Sequence, residues 1–127
     1  AVMLKSNFTD QSVYNYNKLM LTAFDIDMYN GVTLSLSRSG DGHSCNIVYM
    51  DKNGETASPL ETDLKITSID QYGNHISALS GDTVYTYKKN AEQVATADAG
   101  VDARAICMES ENSAYILGIS EIRFVRF

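Results

Sequence analysis

The sequence has no tryptophan, one proline and two cysteines among its 127 residues, and it has no long apolar run. The longest mainly apolar stretch, residues 114–119, is far shorter than the ~20 residues that cross a bilayer. We therefore expect no membrane insertion by this segment. Residues 1–5 have neither the basic start nor the apolar core of a signal peptide, and the missing initiator methionine suggests a processed or excised chain.

The two cysteines, Cys45 and Cys107, are too few and too far apart for the dense disulfide framework of a small stapled domain. Free cysteine usually behaves as a small apolar residue, so the pattern predicts two buried thiols. A disulfide or a redox role is the alternative.

Positive charge is scarce. Ten Lys and Arg residues stand against sixteen Asp and Glu, which gives a net charge of -6. The densest basic cluster is the pair Lys88 and Lys89. An acidic chain without a basic patch repels phosphate backbones, so nucleic acid is not an expected partner.

An internal repeat is the strongest organisational feature. Residues 50–55 recur as residues 87–92 at an offset of 37, in each case as a polar turn after an apolar strand. Residues 21–27 align with 64–70 at an offset of 43, and the difference fits a longer hairpin in the Gly-rich residues 38–43. A repeat of this length is typical of propeller blades.

The repeat predicts one propeller segment over residues 1–127, in four pieces. Residues 1–18 end a preceding blade, 19–61 and 62–99 are blades, and 100–127 are an incomplete blade. The short strands, rich in Val, Ile, Thr, Tyr and Phe, alternate with turn residues and show no sustained helical period. We therefore predict an all-β fold, a partial β-propeller made of four-stranded antiparallel blades.

A β-sandwich is the alternative fold. Sandwich strands leave one face in water and alternate cleanly between apolar and polar residues. Residues 47–50 and 114–117 are instead apolar on both faces, whereas residues 33–37 and 76–80 mix large apolar residues with Ser and Ala. Small sheets stacked face to face account for both patterns.

Four stretches carry a resemblance to a known family: residues 31–42, 48–55, 69–74 and 114–122. They resemble a bacterial domain family of unknown function whose members look like propellers held outside the cell by an N-terminal membrane helix. The likeness covers most of residues 19–125 and implies an extracytoplasmic, cell-surface location. The pattern is also distantly similar to quinone-dehydrogenase-like and WD-repeat propellers, but their tryptophan motifs and vicinal cysteine pair are missing.

Residues 39–43 place Ser39, Asp41 and His43 close together in sequence. A hydrolytic triad needs its base between nucleophile and acid, each from a separate part of the scaffold, which one tight loop does not provide. Asp41 and His43 are therefore weak ligand-binding candidates beside the simpler interpretation of a hairpin loop. The two histidines, His43 and His75, lack partners at ligand spacing, so no metal site and no cofactor are predicted.

Tyr29 and Tyr72 lie next to predicted turns and are candidates for surface contact, because tyrosine joins an apolar ring to a polar tip. Asp27 and Asp70 follow the first strand of their copies at matched positions. Repetition favours a structural role in which each carboxylate accepts hydrogen bonds from the next turn.

These features predict a non-catalytic propeller segment that mediates binding or assembly, and the resemblance implies that it is extracytoplasmic. Its partner would be a protein, a glycan or a small ligand met by loops at the blade ends. A glycosidase or lyase on the same scaffold is the alternative. Residues 122–127 would pair with a second copy, making a homo-oligomer through unpaired terminal strands, or with strands near residues 2–16.

Overall fold

The computed structural model describes residues 2–4 and 11–127, with side chains from residue 13 onward. This part of the chain contains strands and turns and no helix, so it has no helix that could span a membrane. The strands are β1 (Val2–Leu4), β2 (Gln11–Val13), β3 (Met20–Asp27), β4 (Gly31–Ser37), β5 (Cys45–Met50), β6 (Leu60–Glu61), β7 (Ser68–Tyr72), β8 (His75–Ser80), β9 (Thr83–Lys88), β10 (Gln93–Asp98), β11 (Ala103–Ser110), β12 (Ser113–Gly118) and β13 (Ile122–Arg126).

The strands form antiparallel sheets in which each strand pairs with its neighbour in sequence. β3–β6 make the first sheet, β7–β10 the second sheet, and β11–β13 the third sheet, while β1 and β2 pair with each other. The alternative in which the strands near residues 2–16 pair with residues 122–127 is wrong, because in the described residues β1 and β2 pair only with each other and β13 pairs only with β12. Pairing of residues 122–127 with a second copy stays a prediction. Connections of a few residues explain this order, since antiparallel neighbours need only a tight turn.

The sheets lie face to face, with their first strands β3, β7 and β11 side by side at one edge. Apolar side chains fill the seam between the first and second sheets, among them Ile47, Ile66 and Ile76, and the seam between the second and third, among them Leu79, Val84 and Ile116. Every sheet therefore buries its apolar surface against a neighbour of similar size. The expected stack of small antiparallel sheets is confirmed, and the β-sandwich alternative is wrong.

The first sheet shows why its strands do not alternate in sequence. β4 is buried along its whole length, with Val32, Leu34 and Leu36 on one face and Thr33, Ser35 and Ser37 on the other. The apolar face packs against residues 14–19, and the small polar face meets the second sheet. On that second face one row of paired residues grows in size from the innermost strand outward: Ala23, Ser35, Ile47 and Leu60.

The repeated polar turns adopt the same hydrogen-bond pattern. In the first sheet Asp51 N–H donates to Glu55 O at 2.8 Å, and in the second Lys88 N–H donates to Glu92 O at 2.8 Å. The fourth turn residue is left-handed in both, with φ +81° at Gly54 and +78° at Ala91. Alanine pays a steric cost in this conformation that glycine does not.

We expect Ala91→Gly to raise the free energy of unfolding by about 1 kcal/mol, because it removes the left-handed penalty. Gly54→Ala should lower it by a similar amount. Urea denaturation of both variants measures the effect. Ala57→Gly, at an exposed position without positive φ, is the control and should give no gain. A loss of stability in Ala91→Gly would contradict the assigned turn geometry.

Candidate functional site

The structure places the four predicted site residues at opposite ends of the stack. Tyr29 is 85% exposed in the turn between β3 and β4, and Tyr72 is 46% exposed at the end of β7. Asp41 and His43 lie in the connection between β4 and β5. Successive hairpin turns lie at opposite ends of an antiparallel sheet, so Tyr29 and Tyr72 share one rim and Asp41 and His43 lie on the other. The four residues do not form one site.

Asp41 stabilises its own loop. Its carboxylate accepts hydrogen bonds from the Ser39 hydroxyl and from His43 N–H, the latter at 3.0 Å. The bond from Ser39 comes first among the contacts that hold the pKa of Asp41 below its usual value. Ser37 Oγ also donates to His43 O at 2.6 Å. The loop is therefore organised by short polar side chains bonded to nearby backbone, which is what a turn requires.

Asp27 has the turn-stabilising role that the sequence predicts. Its carboxylate accepts hydrogen bonds from Tyr29 N–H at 2.8 Å and from Asn30 N–H at 3.1 Å. These bonds lower the pKa of Asp27 from its ordinary value, the Tyr29 bond first. The turn that carries Tyr29 is thereby fixed to the end of β3.

Asp70 is not the counterpart of Asp27, and the offset of 43 misaligns the two sheets by two residues. The first hairpin closes on the pair Asp27 and Gly31, and the second closes on Tyr72 and His75. Counting back two residues from each closing pair aligns Asp70 with Asp25. The Asp70 carboxylate accepts its hydrogen bond from Met108 N–H in the third sheet, not from its own turn.

Asp25 and Asp70 each bridge a seam between sheets in the same way. Asp25, on β3, accepts a hydrogen bond from the Gln71 main chain on β7, and Asp70, on β7, accepts one from Met108 on β11. Ser68 Oγ adds a second bond across the later seam, from Ile106 N–H at 3.1 Å. We call this row of side chains reaching from one innermost strand to the next the carboxylate ladder. Sequence reasoning missed it because Asp25 has no motif around it, although alignment from the hairpin closing pairs would have found it.

The two carboxyl groups of the ladder are in hydrogen-bond contact with each other. Burial is the first cause that raises the pKa of Asp25, from 3.8 to about 6, followed by the hydrogen bond and the negative charge of Asp70. Paired acids in glycoside cleavage lie about 5 to 9.5 Å apart. The carboxyl groups of Asp25 and Asp70 are in contact and accept main-chain N–H groups, so they do not have that separation.

Cys107 occupies the ladder position in the third sheet, because it pairs with Tyr115 as Asp70 pairs with Ser77. The prediction of a buried thiol is wrong for Cys107, which is exposed, and right for Cys45, which is buried. Both are free thiols. Partial desolvation raises the pKa of Cys107, and the charges of Asp70 and then Asp25 raise it further. A thiol with a raised pKa is a poor nucleophile.

Enclosed space is small in the part of the chain that the structure describes. The most enclosed cavities are about 40 and 20 Å³, which is room for a water molecule and not for a small organic ligand. Larger spaces, such as the 440 Å³ groove lined by residues 60–64 and Tyr85, are open to solvent. Within residues 2–4 and 11–127, no group of three or more His, Cys, Asp or Glu side chains is arranged to hold a metal ion.

Two solved structures are similar to this fold. Both are of the propeller protein Hsv2, one from Kluyveromyces marxianus and one, with its loop 6CD complete, from Kluyveromyces lactis. Each aligns with a TM-score of 0.62 over 87% of this chain, at 10% and 11% sequence identity respectively. The alignments cover 34% and 33% of the Hsv2 chains, so this chain spans about a third of their length. No family model and no curated protein matches the sequence.

The sheet order, the face-to-face stack and these neighbours define the chain as an arc of a β-propeller. Sequence identity this low supports the fold alone.

We expect Asp25→Asn to remove a pH dependence of stability between about pH 4 and 7. The folded-state pKa of Asp25 is raised to about 6, so its contribution to stability is complete below about pH 3.8 and is lost as pH rises through 6. The amide keeps a donor for Asp70 and an acceptor for Gln71. Asp25→Asn should therefore be more stable than wild type at pH 7 by about 1 kcal/mol, allowing for solvent screening.

Urea denaturation from pH 4 to 7 measures this difference. Asp102→Asn, at an exposed loop position, is the matched control and should follow the wild-type curve. Parallel curves for wild type and Asp25→Asn would contradict the raised pKa of Asp25.

Proposed function

We propose that this chain is a non-catalytic part of a β-propeller that recognises a protein partner through the rim that carries Tyr29 and Tyr72. We call this end the tyrosine rim; it is formed by the turns at 28–30, 51–54, 73–74, 89–92 and 111–112. One observation carries the proposal: Met28 and Tyr29 are 92% and 85% exposed at one turn, and Tyr72 is exposed at the adjacent one. Tyrosine and methionine are enriched at protein interfaces, where each covers a large area.

Hydrogen bonds between neighbouring sheets hold the tyrosine rim in place. Gln71 Nε2 donates to Gly31 O at 3.0 Å, which ties the Tyr29 turn to the strand that ends at Tyr72. Asn74 N–H donates to Glu111 Oε2 at 3.2 Å, and the same carboxylate contacts the His75 ring. The bond to His75 is the first cause that lowers the pKa of Glu111. A surface fixed before binding loses less entropy when a partner docks.

The character of the rim favours a protein over a small ligand or a glycan. The enclosed cavities near it hold little more than a water molecule, so a small molecule would find few contacts. Met28 is apolar and flexible, and it offers no hydrogen bond donor for a sugar hydroxyl. The turns of the rim also carry exposed basic and acidic residues, among them Lys52 and Glu92, as the polar margin of a protein interface does.

The non-catalytic part of the proposal rests on the carboxylate ladder. Asp70 accepts the Met108 N–H of the third sheet, and Asp25 lies against Asp70 and Gln71 of the second sheet, so both carboxylates serve the contact between sheets. A location outside the cytoplasm belongs to the proposal as well, and its support is the resemblance to surface-anchored propellers.

Photocrosslinking from the rim tests the proposed partner. Benzoylphenylalanine in place of Tyr29 or Tyr72 should capture one and the same protein from the native cells, whereas the same label at His43, on the opposite rim, should not. Binding of that purified protein should weaken about tenfold or more in Tyr29→Ala and in Tyr72→Ala, as for central aromatic contacts. His43→Ala is the matched control and should bind normally.

Equal capture from both rims would overturn the assignment of the tyrosine rim. Binding to a glycan array that requires Tyr29, without any captured protein, would replace the protein partner with a carbohydrate. Hydrolysis of aryl glycosides that is lost in both Asp25→Asn and Asp70→Asn would overturn the non-catalytic part.

A further inference from the structure

The outer face of the third sheet is apolar and uncovered. We call it the end face; its apolar residues point away from the second sheet, and they are Ala105, Cys107, Tyr115, Leu117, Ile122 and Phe124. The Arg126 guanidinium lies over the Phe124 ring, 5.4 Å from its centroid. Leu117 is 41% exposed, Ile122 70% and Phe124 45%. The rings of Tyr115 and Phe124 pack on each other, with centroids 5.2 Å apart. Exposed apolar residues grouped on one sheet face indicate a contact surface.

The same positions are buried in the preceding sheet. Leu79 pairs with Ser68 and Val84 in the second sheet as Leu117 pairs with Ala105 and Ile122 in the third. Leu79 and Val84 are fully buried because the third sheet covers them. The end face is therefore the next copy of an interface that the chain has already formed twice, and none of the described sheets lies against it.

The carboxylate ladder also indicates that the end face packs against a further sheet. In both formed seams the side chain at the ladder position, Asp25 or Asp70, meets a main-chain N–H of the following innermost strand. Cys107 holds that position on the end face, and its sulfur is a weak acceptor for such an N–H. Whatever covers the end face should thus place an innermost strand beside Cys107 and apolar side chains over Leu117 and Ile122.

A second copy of this chain is a poor fit. The complementary surface at the other end of the stack is the opposite face of the first sheet, where Phe24 and Ile26 are 59% and 66% exposed. Further out on that face, Val32, Leu34, Leu36 and Val48 are already covered by Tyr14, Tyr16 and Leu19. A second copy would therefore reach only the innermost strand of the surface that it needs.

We propose that a further four-stranded blade of the same propeller packs against the end face, next to the third sheet in the ring. The similar propeller chains are about three times as long as the aligned arc, so a complete ring holds more blades than this chain contributes. The proposal is independent of the partner at the tyrosine rim, which lies at the turns and not on a sheet face.

The reactivity of Cys107 tests whether a further blade packs on the end face, and it requires no substitution. The protein is purified at its natural length from its source, and the 127-residue chain is produced separately. Both are treated with a maleimide, and mass spectrometry measures the labelling rate at each cysteine. Cys107 should react at least about tenfold more slowly in the natural protein, because the adjoining blade covers it. Cys45, buried in the first sheet, should react slowly in both and serves as the internal control.

Equal labelling rates of Cys107 in the two proteins would overturn the proposal, since the end face would then be open in the natural protein as well. A second measurement compares the 127-residue chain at about 1 μM and about 200 μM, a range that spans typical weak association. The rate at Cys107 should not change. Protection that increases with concentration would also overturn the proposal, because a second copy would be the occupant.

Discussion

Each small sheet in this structure must pack face to face against another, and the rest of the structure depends on this constraint. A sheet of three or four short strands cannot bury its apolar surface alone, and β4 and β5 have apolar or small side chains on both faces. Each sheet is therefore completed by its neighbour, in the manner of repeat proteins in which each unit contacts only the adjacent ones. The exposed residues at the two ends of the stack, Phe24 and Ile26 at one and Leu117 and Ile122 at the other, follow from the same constraint.

Hydrogen bonds give these seams their register. Apolar contact is tolerant of sliding, whereas a carboxylate that must reach one particular N–H is not. Asp25 and Asp70 set the innermost strands relative to each other, while Gln71 and Glu111 do the same near the turns. This arrangement places two carboxyls side by side, and the Asp70 carboxyl contributes to the raised pKa of Asp25. The residues that set the register thus differ from Tyr29 and Tyr72, the exposed residues of the tyrosine rim.

The fold could be predicted from the sequence because it depends on patterns that repeat. Strand composition, turn residues and the offset of 37 between the polar turns are all local, and the turns at Gly54 and Ala91 match in their hydrogen bonds. The ladder could not be predicted in the same way, because it depends on how many residues each hairpin uses to turn. The first hairpin turns over residues 28–30 and the second over 73–74, so a constant offset assigned Asp27 where Asp25 belongs. Cys107 is exposed because none of the described sheets packs against its face of the third sheet, and that depends on the arrangement of whole sheets rather than on a local pattern.

The row Ala23, Ser35, Ile47 and Leu60 fills part of the interface between the first and second sheets and also sets the angle between them. Its side chains are small near the innermost strand and large near the outer strands. Two sheets that pack on this row are therefore closer together at their inner edges than at their outer edges. The volume gradient across a single face thereby contributes a curvature, and sheets added in the same sense turn about an axis along their inner edges. Side chains of equal size along that row would remove the gradient and would let the two sheets lie parallel.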